Sequence, residues 1–211
     1  MAAPTLPDPV LRFVAILWSD PAALEKARAK LGELWGTIAF AGADHPFDRS
    51  DYYREEMGEH LRRRLIAFRI LVPPESLVEA KLLCNAVEDE LAGPKGRLVN
   101  LDVGYLDHAK LVLASNKPAG QKIHLGRGIH ADLVARYGHG RYQPFEWTFP
   151  DFRDGRYDEE LKQMRSLYLA CLRQGRADSS PLPNTPRPQT PPHDGEERKT
   201  NEGETPMSRI G

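Results

Sequence analysis

The chain is poor in cysteine, carries almost no net charge and contains no long apolar run. Its 211 residues include two cysteines, Cys84 and Cys171. Two thiols cannot build a disulfide framework, and such sparse use suits a reducing compartment. Lys and Arg number 29 against 30 Asp and Glu, for a formal net charge of −1. That balance creates no broad field for nucleic acid or an anionic membrane, so neither partner is expected. The longest early apolar run, VLRFVAILW, contains Arg12 and falls far short of the ~20 residues that span a bilayer. The opening MAAPTLPDPV lacks the charged-then-apolar plan of a signal peptide. Together these absences predict a soluble, cytoplasmic protein.

Familiar catalytic motifs are missing as well. No GxxxxGK followed by Ser or Thr occurs, so no P-loop supports GTP. GPKGR, Gly93 to Arg97, has the wrong spacing, and SNKPAG, Ser115 to Gly120, lacks the Asp of a guanine-reading NKxD signal. There is no GxSxG elbow, no HExxH and no GxGxxG.

The segment from Arg176 onward has no aromatic residue, and its only large apolar side chains are Leu182, Met207 and Ile210. It cannot bury enough surface to offset an ordering entropy of roughly 1–2 kcal/mol per residue. Residues 1–175 are therefore expected to form a single domain, and residues 176–211 a disordered, Pro-rich polar tail. The proline spacing also suits short polyproline II runs that a protein partner could read.

Within the domain, Val10 to Trp18 reads as a buried strand. Ser19 and Asp20 can cap a helix that starts at Pro21 and closes at Gly36. Thr37 to Ala41 and Leu65 to Val72 are the next strands. Ser76 and Glu79 fit a capping box ahead of a helix with Leu77, Ala80, Cys84, Val87 and Leu91 on one stripe. Cys84 on that stripe reads as core. Arg97 to Leu101 is a fourth strand. The resulting order predicts an α+β fold with a ferredoxin-like βαββαβ core. Lys122 to Tyr137 adds a hairpin turning at Gly126-Arg127-Gly128; with Leu125 paired to Ile129, His124 faces His130 and Lys122 faces Asp132. Tyr157, Leu161, Met164, Leu167, Cys171 and Leu172 mark a closing helix.

Three polar segments are candidates for chemistry. HPFDRSDYYREEMG, His45 to Gly58, gathers carboxylates around Tyr52 and Tyr53. They could hold Mg²⁺, which takes oxygen ligands, or form a solvated acidic helix start. NLDVGYLDHAK, Asn100 to Lys110, supplies Asx turns, a glycine suited to positive φ at Gly104, and Asp107 as cap of a helix through HAKLVLAS. Lys110 in the first turn of that helix would meet an anion. EWTFPDFR, Glu146 to Arg153, mixes rings with polar groups, as small-ligand pockets do. Its plainer reading is an aromatic strand end and a Pro turn. His124, His130 and Asp132 on one hairpin face would suit Zn²⁺, although a cross-strand His pair is more often structural.

Five stretches together resemble a bacterial and archaeal family of unknown function marked by an NLDPGY motif. They are HPFDRSDYYREEMG, RRRLIAFRILVPPESLVEAKLLCN, VNLDVGYLDHAKLVLAS, IHLGRGIHADL and EWTFPDFR, and the similarity covers Val10 to Arg173. Some family members carry the label "GTP-binding protein". By position, Asp51, Tyr52 and Tyr53 match a DYY element. Asn100, Asp102, Gly104, Tyr105 and Lys110 match the naming motif and its continuation. Trp147, Thr148 and Asp151 match a WTYPDY-type segment, with Arg153 close behind. Val103 stands in place of the motif's Pro, and His124 and His130 in place of Tyr, which argues against zinc at the hairpin.

The first functional expectation is a site for a small anionic, nucleotide-like ligand, formed by the DYY, NLDVGY and WTFPD segments. Lys110 and Arg153 would be its cations and Asp48, Asp51 and Asp102 its metal or hydroxyl partners; no reaction or resident cofactor follows. The alternative is a non-catalytic protein-binding or adaptor module engaging its partner through the tail.

Overall fold

The structure is a computed structural model that describes residues 3–48, 53–94 and 96–178. Asp51, Tyr52 and the tail beyond Asp178 lie outside the described residues. The fold is α+β. In chain order the elements are β1 (Val10–Trp18), α1 (Pro21–Trp35), β2 (Ile38–Ala41), β3 (His45–Pro46), α2 (Arg54–Met57) and β4 (Arg62–Val72). They continue with α3 (Leu77–Glu90), β5 (Val99–Leu106), β6 (Lys110–Ser115), β7 (Ile123–Gly126), β8 (Ile129–Gly138), β9 (Arg141–Pro144), α4 (Pro150–Arg153) and α5 (Asp158–Asp178).

The strands form one antiparallel sheet in the order β2-β4-β1-β5-β6-β8-β7, with β3 beside β4 and β9 beside β8. The first four neighbours, reached through β1-α1-β2-β4-α3-β5, have the ferredoxin-like split arrangement. The later strands extend the sheet beyond β5. Helices α1 and α3 cover one face, where Val14, Ile16 and Trp18 meet Leu24, Leu31 and Cys84. Helix α5 covers the other, where Leu11, Phe13 and Ala15 meet Leu161, Met164 and Tyr168. Burial on both faces explains why β1 is a continuous apolar run and not an alternating one. Among the described residues no helix is long and apolar enough to cross a membrane.

Local signals set several boundaries. The Asp20 side chain accepts from Ala22 N–H at 2.9 Å, and Gly36 ends α1 at φ 82°. Cys84 is fully buried, and burial pushes its thiol up to about 12, away from nucleophilic chemistry at neutral pH.

Three expectations are corrected. HAKLVLAS is not a helix: Lys110–Ser115 is strand β6, flanked by β5 and β8, and a Leu-Val-Leu run buried on both faces suits a strand. The Ser76–Glu79 capping box does not form. A 3-10 turn at Pro74–Ser76 precedes α3, Ser76 makes no side-chain cap, and Glu79 pairs with Arg127 at 2.7 Å. In the β7–β8 hairpin His124 does pair with His130, but a bulge places Gly126, not Leu125, opposite Ile129.

Candidate functional site

The site begins where β5 and β6 part. They pair only through Gly104↔Leu113, Tyr105↔Val112 and Leu106↔Leu111. Beyond that, β6 stays with β8 as far as Ser115, while β5 stays with β1 back to Val99. Among the described residues the inner edge of β5 is thus without a strand, and buried backbone groups there must find other partners. Helix α3 supplies them. Leu101 N–H donates to Glu88 Oε1 at 2.6 Å, and Leu101 C=O accepts from Lys81 Nζ at 3.0 Å. Lys81 and Glu88 lie 3.7 Å apart and are nearly buried. Burial raises the Glu88 carboxyl above its ordinary value, and Lys81 and the Leu101 N–H only partly oppose this.

The fork opens as a cleft of about 410 Å³. Arg63 lies in its floor. Arg63, Leu65 and Ala67 share one face of β4 and all are buried, so Arg63 points inward as its apolar neighbours do. It donates to Asp151 Oδ2 at 2.6 Å and to Asp102 Oδ2 at 3.2 Å. The rings of Phe47 and Phe152 lie 4.7 Å and 5.6 Å from its guanidinium carbon. Tyr157 O–H donates to Asp151 Oδ2 at 3.0 Å. Burial opposes the Arg63 charge, but Asp151 and Asp102 outweigh it and the guanidinium is held as a cation.

Arg97 forms the neighbouring wall. Its Nε and NH2 donate to the two oxygens of Glu56 at 2.8 Å and 2.7 Å, and its NH1 to Asn100 Oδ1 at 3.0 Å. The hydrogen bonds from Arg97 hold Glu56 below the usual carboxylate range. Because Asn100 turns its oxygen to Arg97, its amide nitrogen is left without a protein partner among the described residues. Across the cleft, Lys122 Nζ donates to Ser115 Oγ at 2.8 Å and lies 3.5 Å from Asp132 Oδ2. Asp132 Oδ1 and Asp151 Oδ1 have no partner among the described residues either. Asn100, Asp132 and Asp151 are 4, 5 and 1% exposed, so these are buried, unmet bonding groups on a cavity wall.

Of the expected site residues, Tyr53, Asn100, Asp102 and Asp151 line this cleft, bringing together the three polar segments. Asp51 and Tyr52 lie outside the described residues. The others are elsewhere. Tyr105 packs against the core beneath α1 and α3. Gly104 lacks a positive φ; its role is close approach to Phe13 and β6. Trp147 and Thr148 close the edge of β8, donating to Leu133 C=O and Val134 C=O at 2.9 Å and 2.6 Å. Arg153 donates to Glu146 C=O at 2.6 Å. Lys110 and Arg153 are therefore not the cleft's cations; Arg63, Lys81, Arg97, Lys117 and Lys122 are.

Lys110 serves the β5–β6 turn. Asp107 Oδ1 accepts from the N–H groups of Ala109 and Lys110 at 2.7 Å and 2.8 Å, and its Oδ2 meets Lys110 Nζ at 2.5 Å. Burial opposes the Asp107 charge, but these hydrogen bonds win and its carboxyl lies below the ordinary value. A depressed carboxyl contributes stability that is present above its unfolded pKa and lost as pH falls through the folded one. Asp107→Ala should therefore cost about 1 kcal/mol at pH 7. In urea titrations from pH 7 to pH 2, the gap to the parent protein should narrow below about pH 4. A constant gap would show that the carboxylate charge is irrelevant to the turn.

Some of the missed residues had a readable signal. Arg63 occupies an inward position of an alternating strand. Lys81 and Glu88 interrupt the apolar stripe of α3, seven residues apart. Lys122 and Asp132 had no signal beyond their hairpin register. Among the described residues no group of three or more His, Cys, Asp and Glu side chains could hold a metal ion.

A family model of a domain of unknown function, DUF4416, matches residues 8–168. The chain belongs to that family. The matched span covers the cleft, its floor and both helices of the βαββαβ core. No curated protein and no solved structure matches the chain.

Proposed function

We propose that the cleft at the β5–β6 fork of this DUF4416 domain binds a small anionic ligand. The buried, unpartnered amide nitrogen of Asn100, held beside the Arg97 guanidinium, supports this reading above all. It presents a donor next to a cation on the wall of a cavity of ligand size. The NLDVGY motif contributes Asn100 and Asp102, and a cytoplasmic location fits such a ligand. Acid–base chemistry is not assigned.

The test is thermal unfolding of the full chain, with and without Mg²⁺. The panel comprises inorganic phosphate, pyrophosphate, sugar phosphates and nucleotides, GTP among them because of the label some relatives by resemblance carry. A ligand at ~100 times its dissociation constant stabilises by about 2.7 kcal/mol, a rise of roughly 5–11 °C for this size. Asn100→Ala should abolish the response and Lys110→Ala should retain it. A flat response across the panel would overturn the reading; a stable protein complex recovered from cells would then favour the adaptor alternative.

A further inference from the structure

The unmet groups of the cleft narrow the ligand class, an inference that rests on the anion reading above. Three residues that line the cleft each carry one buried polar atom without a partner among the described residues: one donor, Asn100 Nδ2, and two acceptors, Asp132 Oδ1 and Asp151 Oδ1. A fully deprotonated anion has only acceptors. It could meet Asn100 but would leave both carboxylate oxygens unmet and add repulsion to them. The ligand must therefore carry donors as well.

The charge state of those donors follows from the other oxygen of each carboxylate. Asp151 Oδ2 already faces Arg63 at 2.6 Å, and Asp132 Oδ2 lies 3.5 Å from Lys122. Asp132 faces Lys122, and Asp151 holds the shorter of the two contacts of Arg63, which it shares with Asp102, so a neutral hydroxyl suffices and an ammonium would place a further charge among these buried groups. Phe47 and Phe149 complete the lining with apolar surface for C–H faces. A volume of about 410 Å³ sits at the small end of ligand pockets.

We infer that the ligand is a monosaccharide or polyol phosphate. Its phosphate meets Asn100 and Arg97, and its hydroxyls donate to Asp132 Oδ1 and Asp151 Oδ1. Titration calorimetry on the full chain tests this with inorganic phosphate, glycerol 3-phosphate, ribose 5-phosphate, glucose 6-phosphate and glucosamine 6-phosphate. At least one neutral-hydroxyl phosphate should bind about tenfold or more tightly than inorganic phosphate. Asp132→Asn keeps an oxygen for Lys122 but turns an N–H₂ toward the hydroxyl. It should remove that advantage and lower the unfolding midpoint, because Lys122 loses its counter-charge, while the circular dichroism spectrum shows that the variant is folded.

The failures separate. If inorganic phosphate binds and no sugar or polyol phosphate binds more tightly, this inference falls and the anion reading stands. If Asp132→Asn leaves the preference intact, the hydroxyl contact is wrong. A tighter glucosamine 6-phosphate than glucose 6-phosphate would overturn the neutral-donor argument. If none of the probes binds, both readings fall.

Discussion

Arg63→Met should cost about 3–5 kcal/mol, the largest effect of any single change at the cleft. Arg63 is 2% exposed and holds Asp151, itself 1% exposed, together with the less buried Asp102. Among the described residues, removing the cation leaves Asp151 with the Tyr157 hydroxyl on Oδ2 and no partner on Oδ1. An uncompensated buried charge is the expensive outcome, more so than the loss of an ion pair as a whole. The unfolding midpoint should fall by roughly 6–20 °C. Arg63→Met combined with Asp151→Asn should recover at least half of the loss, because no charge is then stranded at Asp151. Arg63→Lys should fall between parent and Met variant, since a point ammonium cannot reproduce the two-pronged guanidinium contact. Urea unfolding of the four proteins measures all of this. A midpoint for Arg63→Met within ~1 kcal/mol of the parent would mean that water reaches Asp151 freely.

Gly104→Ala should cost up to about 3 kcal/mol and lower the midpoint by up to roughly 12 °C. A methyl group on Gly104 would sit 2.2 Å from the Val112 carbonyl oxygen and 2.9 Å from the Phe13 ring. The nearest obstacle is backbone, so no rotamer change relieves it, and β5 and β6 must separate. Gly104↔Leu113 is the last pair before the fork. The strain therefore falls on the hinge of the cleft, and anion binding should weaken along with stability. Circular dichroism melts and the phosphate titration together check both effects. An unchanged midpoint would show that the strands can part there at little cost.

The two residues show different degrees of legibility. Gly104 stood out within NLDVGY, but for a backbone angle it does not adopt; crowding between two strands is invisible until their pairing is known. Arg63 was overlooked in a run of three arginines. Strand alternation separates them: Arg62 is exposed, Arg64 pairs with Asp44 beside α1, and Arg63 alone is buried. The three polar segments were legible as special, and Tyr53, Asn100, Asp102 and Asp151 do share one cavity. Which members of each segment face it was not legible, because that depends on the pleat. Tyr105 lies one position beyond Gly104 on β5 and packs on the face opposite to that of Leu106.

The sequence by itself determined the element order of the βαββαβ core, the α+β class, the burial of Cys84 and the closing helix. Those follow from local periodicity, capping residues and apolar stripes, which need only near neighbours. The tertiary structure decided that HAKLVLAS is a strand, that β5 and β6 diverge, and that Lys81 and Glu88 serve the bare edge of β5. It also decided which cations face the cleft. Each of these depends on pairing between residues distant in the chain, and a strand's partners, unlike a helix's, are not encoded in its own period.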